Sequence, residues 1–134
     1  MSGLTGRREG PAELRADVSS DPADVAEIRR AVSDAVRRWG VAVDSGVVAL
    51  LVSELVTNAL VHGRPPLELR ASRVGAGVRV EVLDGAAGAP PRPRRTPPPD
   101  DPHGRGLNIV AALATRWGTA ATTHGKAVWF ELEP

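Results

Sequence analysis

Apolar and polar positions along the chain change period several times, and each change marks an element. Leu14, Ala16 and Val18 alternate with Glu13, Arg15 and Asp17, the period of a half-buried strand. Ser20-Asp21-Pro22 then supplies a cap and an early proline, and Val25, Ile28, Val32, Val36 and Trp39 recur at helical spacing up to Gly40. This predicts an amphipathic helix with Arg29, Arg30, Arg37 and Arg38 on its wet side. A second helix, from Asp44 or Ser45 to Gly63, is apolar nearly all round and so is expected to be buried. Leu67 to Val74 and Val78 to Leu83 alternate again and read as a hairpin closed at Gly75-Ala76-Gly77.

From Asp84 to Gly106 the pattern breaks. Prolines at 90, 91, 93, 97, 98, 99 and 102 exclude a helix or an inner strand through most of this stretch. A third helix is expected from Gly106, through Leu107, Ile109, Val110 and Leu113, to Trp117-Gly118. Thr119 to His124 and Ala127 to Leu132 form a last hairpin around Gly125-Lys126. Residues 1–11 read as a flexible tail and 12–134 as a single domain. The expected architecture is α+β: a two-layer sandwich with helices on one face of a mixed, mostly antiparallel sheet.

Composition narrows the function classes. The 134 residues are 42% hydrophobic and 25% charged, ordinary for a globular chain. A net charge of +1 gives no drive toward nucleic acid or anionic lipid, so neither is an expected partner. No secretory leader is visible, and the run Val47 to Val61 carries Ser53, Glu54, Thr57 and Asn58, so a membrane span is not expected. The chain has no cysteine, which fits the cytoplasmic location expected for it.

Those four polar residues fall in one stripe of the second helix, with Glu54 and Asn58 one turn apart. A carboxylate facing a core without a partner is costly, so the stripe should line a polar cavity. An amide oxygen is a hard ligand suited to Mg2+ beside phosphate oxygens, and a carboxylate can take a proton from an attacking hydroxyl. The residues leave a second reading open: Glu54 satisfied by arginine or backbone donors, and Asn58 bonded across the core. His62, one turn beyond, suits the helix end. Asp84 at a strand end, followed by Gly85-Ala86-Ala87-Gly88, leaves room for a flat ligand whose exocyclic amine it would accept. In His103-Gly104-Arg105-Gly106-Leu107, glycines at a helix entrance flank an arginine, a setting that favours an anion. The intervening segment, about 89–103, is a candidate lid carrying Arg92, Arg94 and Arg95.

ELVTNALVHG, DGAAG and HGRGLNIV, in this order, resemble the N box and two glycine boxes of the histidine-kinase-like (GHKL) ATP-binding superfamily. The small size and NALVHG are similar to the anti-sigma factor serine/threonine kinases within it. The resemblance covers about residues 12 to 132 and implies a Bergerat-type ATP-binding fold with ATP and Mg2+ as cofactors. It assigns Glu54 as general base and Asn58 as Mg2+ ligand. It places Asn58, His62, Asp84, Gly88, Gly104, Arg105, Gly106 and Leu107 around the nucleotide. It implies a sigma factor and an anti-sigma-factor antagonist as partners, and a homodimer as an assembly to look for. The alternative is a non-catalytic, nucleotide-gated partner-switch module. Three departures bear on affinity: Ala86 stands where the first glycine box commonly has Gly, a Thr that often helps bind the base is read as replaced by Ala127, and the lid is short and Pro-rich.

Overall fold

The computed structural model describes residues 6–85 and 102–134, with side chains from 107 onward in the second span. Its elements run β1 (Arg8–Gly10), β2 (Glu13–Val18), α1 (Pro22–Arg38), α2 (Ser45–His62), β3 (Leu67–Val74), β4 (Gly77–Asp84), α3 (Pro102–Leu113), β5 (Arg116–Ala121) and β6 (Lys126–Leu132). The six strands form one sheet in the order β1-β2-β3-β4-β6-β5. Every pairing is antiparallel, so the sheet expected as mixed has no parallel pair among the described residues. The helices lie on one face of it, α1 against β2, α2 against β4 and β6, and α3 against β5. This is the α+β sandwich that the alternation predicts.

Local chemistry sets the helix ends. Asp21 accepts the Ala23 N–H at 2.9 Å, and Pro22 opens α1 where its missing N–H costs nothing. Asp44 accepts the N–H groups of Gly46 and Val47 at 2.8 and 3.2 Å. Gly40, at φ +70°, turns the chain out of α1 in a conformation that a side chain resists. The stripe Ile28, Val32, Ala35 and Val36 is buried, as are Leu51, Val52, Leu55 and Val56 of α2. These meet Leu14, Leu69, Val80 and Phe130 from the sheet in one core. By length and composition α2 could cross a membrane, but here it packs against α1, α3, β4 and β6.

Three boundaries differ from the sequence reading. Arg8–Gly10, expected within the tail, pairs with β2, and Glu9 meets Arg38 of α1 at 3.3 Å. A three-residue polar strand has no alternation to read. The third helix starts at Pro102 rather than Gly106, because proline at a first helical position is preorganised for the turn. It ends at Leu113, and Thr115 already leads into β5: its N–H donates to Glu131 O, and its Oγ1 accepts the Glu133 N–H, both at 2.9 Å. Gly118 is therefore a strand residue. A Cβ there would lie 2.8 Å from Cζ2 of Trp129 on the paired strand, so only glycine lets the indole lie across β5.

The outer sheet face is a charged layer. Arg79 stacks 4.2 Å over Trp129 and reaches Glu131 at 3.0 Å, while Arg116 takes Glu131 at 2.9 Å. The hydrogen bond from Arg116, and then that from Arg79, hold the Glu131 carboxyl below its usual value.

Candidate functional site at the C-terminal half of the second helix

The polar stripe on α2 divides into two. Ser53 turns to the seam with α1: its hydroxyl donates to Ala49 O at 3.0 Å and accepts from Arg29 Nη1 at 3.4 Å. Thr57 is exposed. Asn58 is 4% exposed, and its amide nitrogen has no hydrogen-bond partner, the one such side-chain atom found buried among the described residues. The four residues expected as one stripe thus part company: Ser53 packs at the α1 seam, Thr57 faces outward and Asn58 is buried. A buried amide donor left unmade costs about 1–3 kcal/mol, so it calls for an acceptor that the described residues do not supply. The reading in which Asn58 bonds across the core lacks that bond for its nitrogen. One turn earlier, Glu54 is half-buried, and burial pushes its carboxyl above the usual carboxylate value. A carboxyl shifted in that direction is a better proton acceptor when ionised.

Past Asn58, three backbone segments crowd around Asp84, which is 6% exposed. A Cβ on Gly63 would lie 2.6 Å from Oδ2 of Asp84 and 2.6 Å from Ala59 O. On Gly85 it would lie 2.8 Å from Pro65 O, and on Gly125 it would overlap Asp84 O at 1.9 Å. The Gly85 N–H donates to Arg64 O at 2.7 Å. Gly85 is thus required by close approach to the 64–66 segment, beyond any role as a turn residue. The contact at Gly63 puts the Asp84 carboxylate at the end of α2, five residues after Asn58, or about 7.5 Å along the helix axis.

Lys126 is the residue that the sequence reading missed. It pairs in register with Asp84 across the β4–β6 ladder and is 7% exposed, and its Nζ donates to His62 O, the end of α2, at 3.2 Å. Val128 and Phe130 face the core, so period-two alternation puts Lys126 on that same face and Ala127, paired with Leu83, on the other. Ala127 therefore does not occupy the site-facing position where a missing Thr was read; Lys126 does. The alternation of β6 held that signal. His62 is exposed at its side chain and contributes its carbonyl here.

Gly104, Arg105 and Gly106 lie within the first turns of α3 rather than before it. Their backbone still belongs to the N-terminal half of a helix whose first N–H groups lack intrahelical acceptors. The side chain of Arg105 lies outside the described residues, as do Gly88, Ala86 and the lid up to residue 101. Leu107 is 2% exposed and belongs to the core. Its side chain lies there with Val110, so a place against the nucleotide is not what its burial shows. A cavity of ≈ 430 Å³ at this end of the sheet borders Leu83, Asp84, Gly85 and Thr122 together with the outward-facing Asp17 and Glu68. Glu54 and Asn58 do not line it.

A family model of the histidine kinase-like ATPase domain matches residues 18–132. The chain belongs to that family. No curated protein matches it. Membership supports an ATP-binding regulatory role for this histidine kinase-like domain, and domains of the family bind ATP, typically with Mg2+. The residues present fit such a group. Asn58 offers a buried amide nitrogen whose donor a phosphate oxygen would meet, and Gly63 leaves room for the Asp84 carboxylate at the helix end where a side chain would fill the space. Among the described residues no three His, Asp or Glu side chains gather as a metal cage, so Mg2+ would bind here together with phosphate oxygens.

Proposed function

We propose that the chain binds Mg-ATP along the Asn58–Asp84 face of α2 and transfers the γ-phosphate to a Ser or Thr hydroxyl of a protein antagonist. It would act as an anti-sigma factor serine/threonine kinase in the cytoplasm. The observation that carries this reading is the buried Asn58 amide nitrogen, a donor without a partner among the described residues that a phosphate oxygen would meet, one turn from a half-buried Glu54 whose carboxyl is raised by burial. Mg-ATP supplies the activated phosphoryl group. Asn58 would hold the metal through its amide oxygen, and Asp84 would accept the exocyclic amine of the base. Glu54 would orient the attacking hydroxyl and take its proton as the new O–P bond forms and the bond to the β–γ bridging oxygen breaks. Arg105 and the N–H groups opening α3 would carry the phosphates. A sigma factor and its antagonist are the partners that the resemblance suggests, and a homodimer is the assembly to examine.

A second reading, a partner-switch module that binds nucleotide without catalysis, draws support from Ala86 in the first glycine box and from Ala127, read in place of a Thr that often helps bind the base. Calorimetric titration with Mg-ATP, followed by transfer of labelled γ-phosphate to candidate antagonists, separates the two. The kinase reading expects Asp84→Asn to lose binding, and Glu54→Gln to keep binding but lose transfer. Tight binding with no phosphoprotein formed from any antagonist would promote the module instead. No binding at all would sink both.

A further inference from the structure

A lysine in a protein interior needs a reason, because its ammonium loses most of its hydration there. Lys126 is 7% exposed, and its placement follows from β6, where Val128 and Phe130 fix which face of the strand meets the core. An ammonium carries three donors, and the bond to His62 O uses one of them. Its direct register partner is Asp84, on the same face and at the same depth; paired residues in an antiparallel ladder stand about 4.5–5.5 Å apart at Cα. The Asp84 carboxylate abuts Gly63 while the Lys126 ammonium abuts His62, so both groups converge on one peptide unit at the end of α2. An acceptor and a donor thus stand side by side where α2, β4 and β6 meet.

We propose that Lys126 is a specificity-determining residue that donates to the ring-nitrogen acceptor lying next to the exocyclic amine taken by Asp84. The inference rests on the ATP-binding reading and extends it to the chemistry of the base. Adenine presents a donor at its exocyclic amine and an acceptor at N1, both bonded to C6 on one edge, the pattern complementary to a carboxylate beside an ammonium, and N1 is the acceptor assigned to Lys126. A structural role alone, tying β6 to the last carbonyl of α2, would make Lys126 indifferent to which base is bound. The two roles therefore differ in a measurable way.

The test compares Mg-ATP with 1-deaza-ATP, which keeps the amine and replaces the adjacent ring nitrogen by C–H. Binding is measured by calorimetry for wild type, Lys126→Met and Lys126→Gln, with the melting temperature of each ligand-free protein as a folding readout. Wild type is expected to prefer ATP by roughly 10-fold or more, the worth of one hydrogen bond to a charged donor. Lys126→Met should bind the two nucleotides equally, and Lys126→Gln should keep part of the preference through its neutral donor. Should Lys126→Met fail to fold, the wild-type and Lys126→Gln comparison carries the test. Equal binding of both nucleotides by wild type, or a preference undiminished in Lys126→Met and Lys126→Gln, overturns the proposal while leaving ATP binding in place. Failure of wild type to bind either nucleotide overturns the ATP reading itself, and the inference with it.

Discussion

The Asp84 carboxylate rests against Gly63, close enough that a Cβ at 63 would come within 2.6 Å of Oδ2. The same Cβ would stand 2.6 Å from the carbonyl of Ala59, so neither the helix end nor the carboxylate has room to yield independently. Backbone at φ −92° poses no obstacle to alanine at this position, which leaves crowding as the sole objection. Gly63→Ala is therefore expected to displace Asp84 from the end of α2. Overpacking of this kind costs about 1–3 kcal/mol of stability. Nucleotide affinity should fall about 10- to 100-fold, the range for losing a hydrogen bond to a charged group. Calorimetry beside a thermal melt checks both; unchanged affinity in a folded Gly63→Ala protein would remove Asp84 from the site.

Glu54 ties activity to stability with opposite signs. Burial raises its folded-state pKa above the unfolded value, so the protonated form favours folding. That contribution is present at acid pH and is lost as pH rises through the raised value, leaving at neutral pH a charged group that burial disfavours. Glu54→Gln should then melt slightly higher than wild type at pH 7, with the difference vanishing in acid. Phosphotransfer should move the other way, falling roughly 10²- to 10⁴-fold at pH 7 for loss of a general base. In wild type the rate should decline as pH drops through the raised carboxyl value. A variant that transfers phosphate at the wild-type rate would show that the proton goes elsewhere.

How much of this was legible beforehand follows from what each residue signals locally. Alternation in β2, β3 and β4 and the 3.6-residue stripe of α1 are strong periodic patterns, and those elements lie where the sequence puts them. Glu54, Asn58 and Asp84 were legible because polar groups within apolar runs need a reason. Ser53 was misplaced because helical angle alone does not show which neighbour fills a groove; Arg29 of α1, 24 residues earlier, does so. Gly118 read as a helix stop because its actual cause, the indole of Trp129 on the paired strand, is non-local. Lys126 was passed over beside Gly125 as part of a turn, although the inward side of β6 was already set by Val128 and Phe130. α3 starts before Gly106 because Pro102, a breaker inside a helix, also opens one at its first position.

Trp129 provides the contrast that shows whether effects at the site are local. Its ring lies over Gly118 and under Arg79 on the sheet face opposite α2. Trp129→Ala removes that stack and leaves Arg79 with its ion pairs to Glu131 and Glu81. A half-buried indole and its cation–π contact together suggest a loss of about 1–3 kcal/mol. No group of the α2 face touches this layer in register: Trp129 pairs with Glu81 and Gly118, whereas Lys126 pairs with Asp84. Distant substitutions without shared partners add independently. Trp129→Ala should consequently lower the denaturant midpoint yet leave Mg-ATP affinity within about 2-fold, and its effect should add to that of Asn58→Leu. The latter removes a buried donor that lacks a partner, and so should stabilise the ligand-free fold by up to about 1–3 kcal/mol while abolishing the Mg2+ dependence of nucleotide binding. Denaturant titrations of the two single variants and the double variant, with affinities measured at high and low Mg2+, decide the matter. Destabilisation by Asn58→Leu would mean that its amide nitrogen is satisfied inside the fold, and an undiminished Mg2+ dependence in that variant would mean that the metal has another ligand.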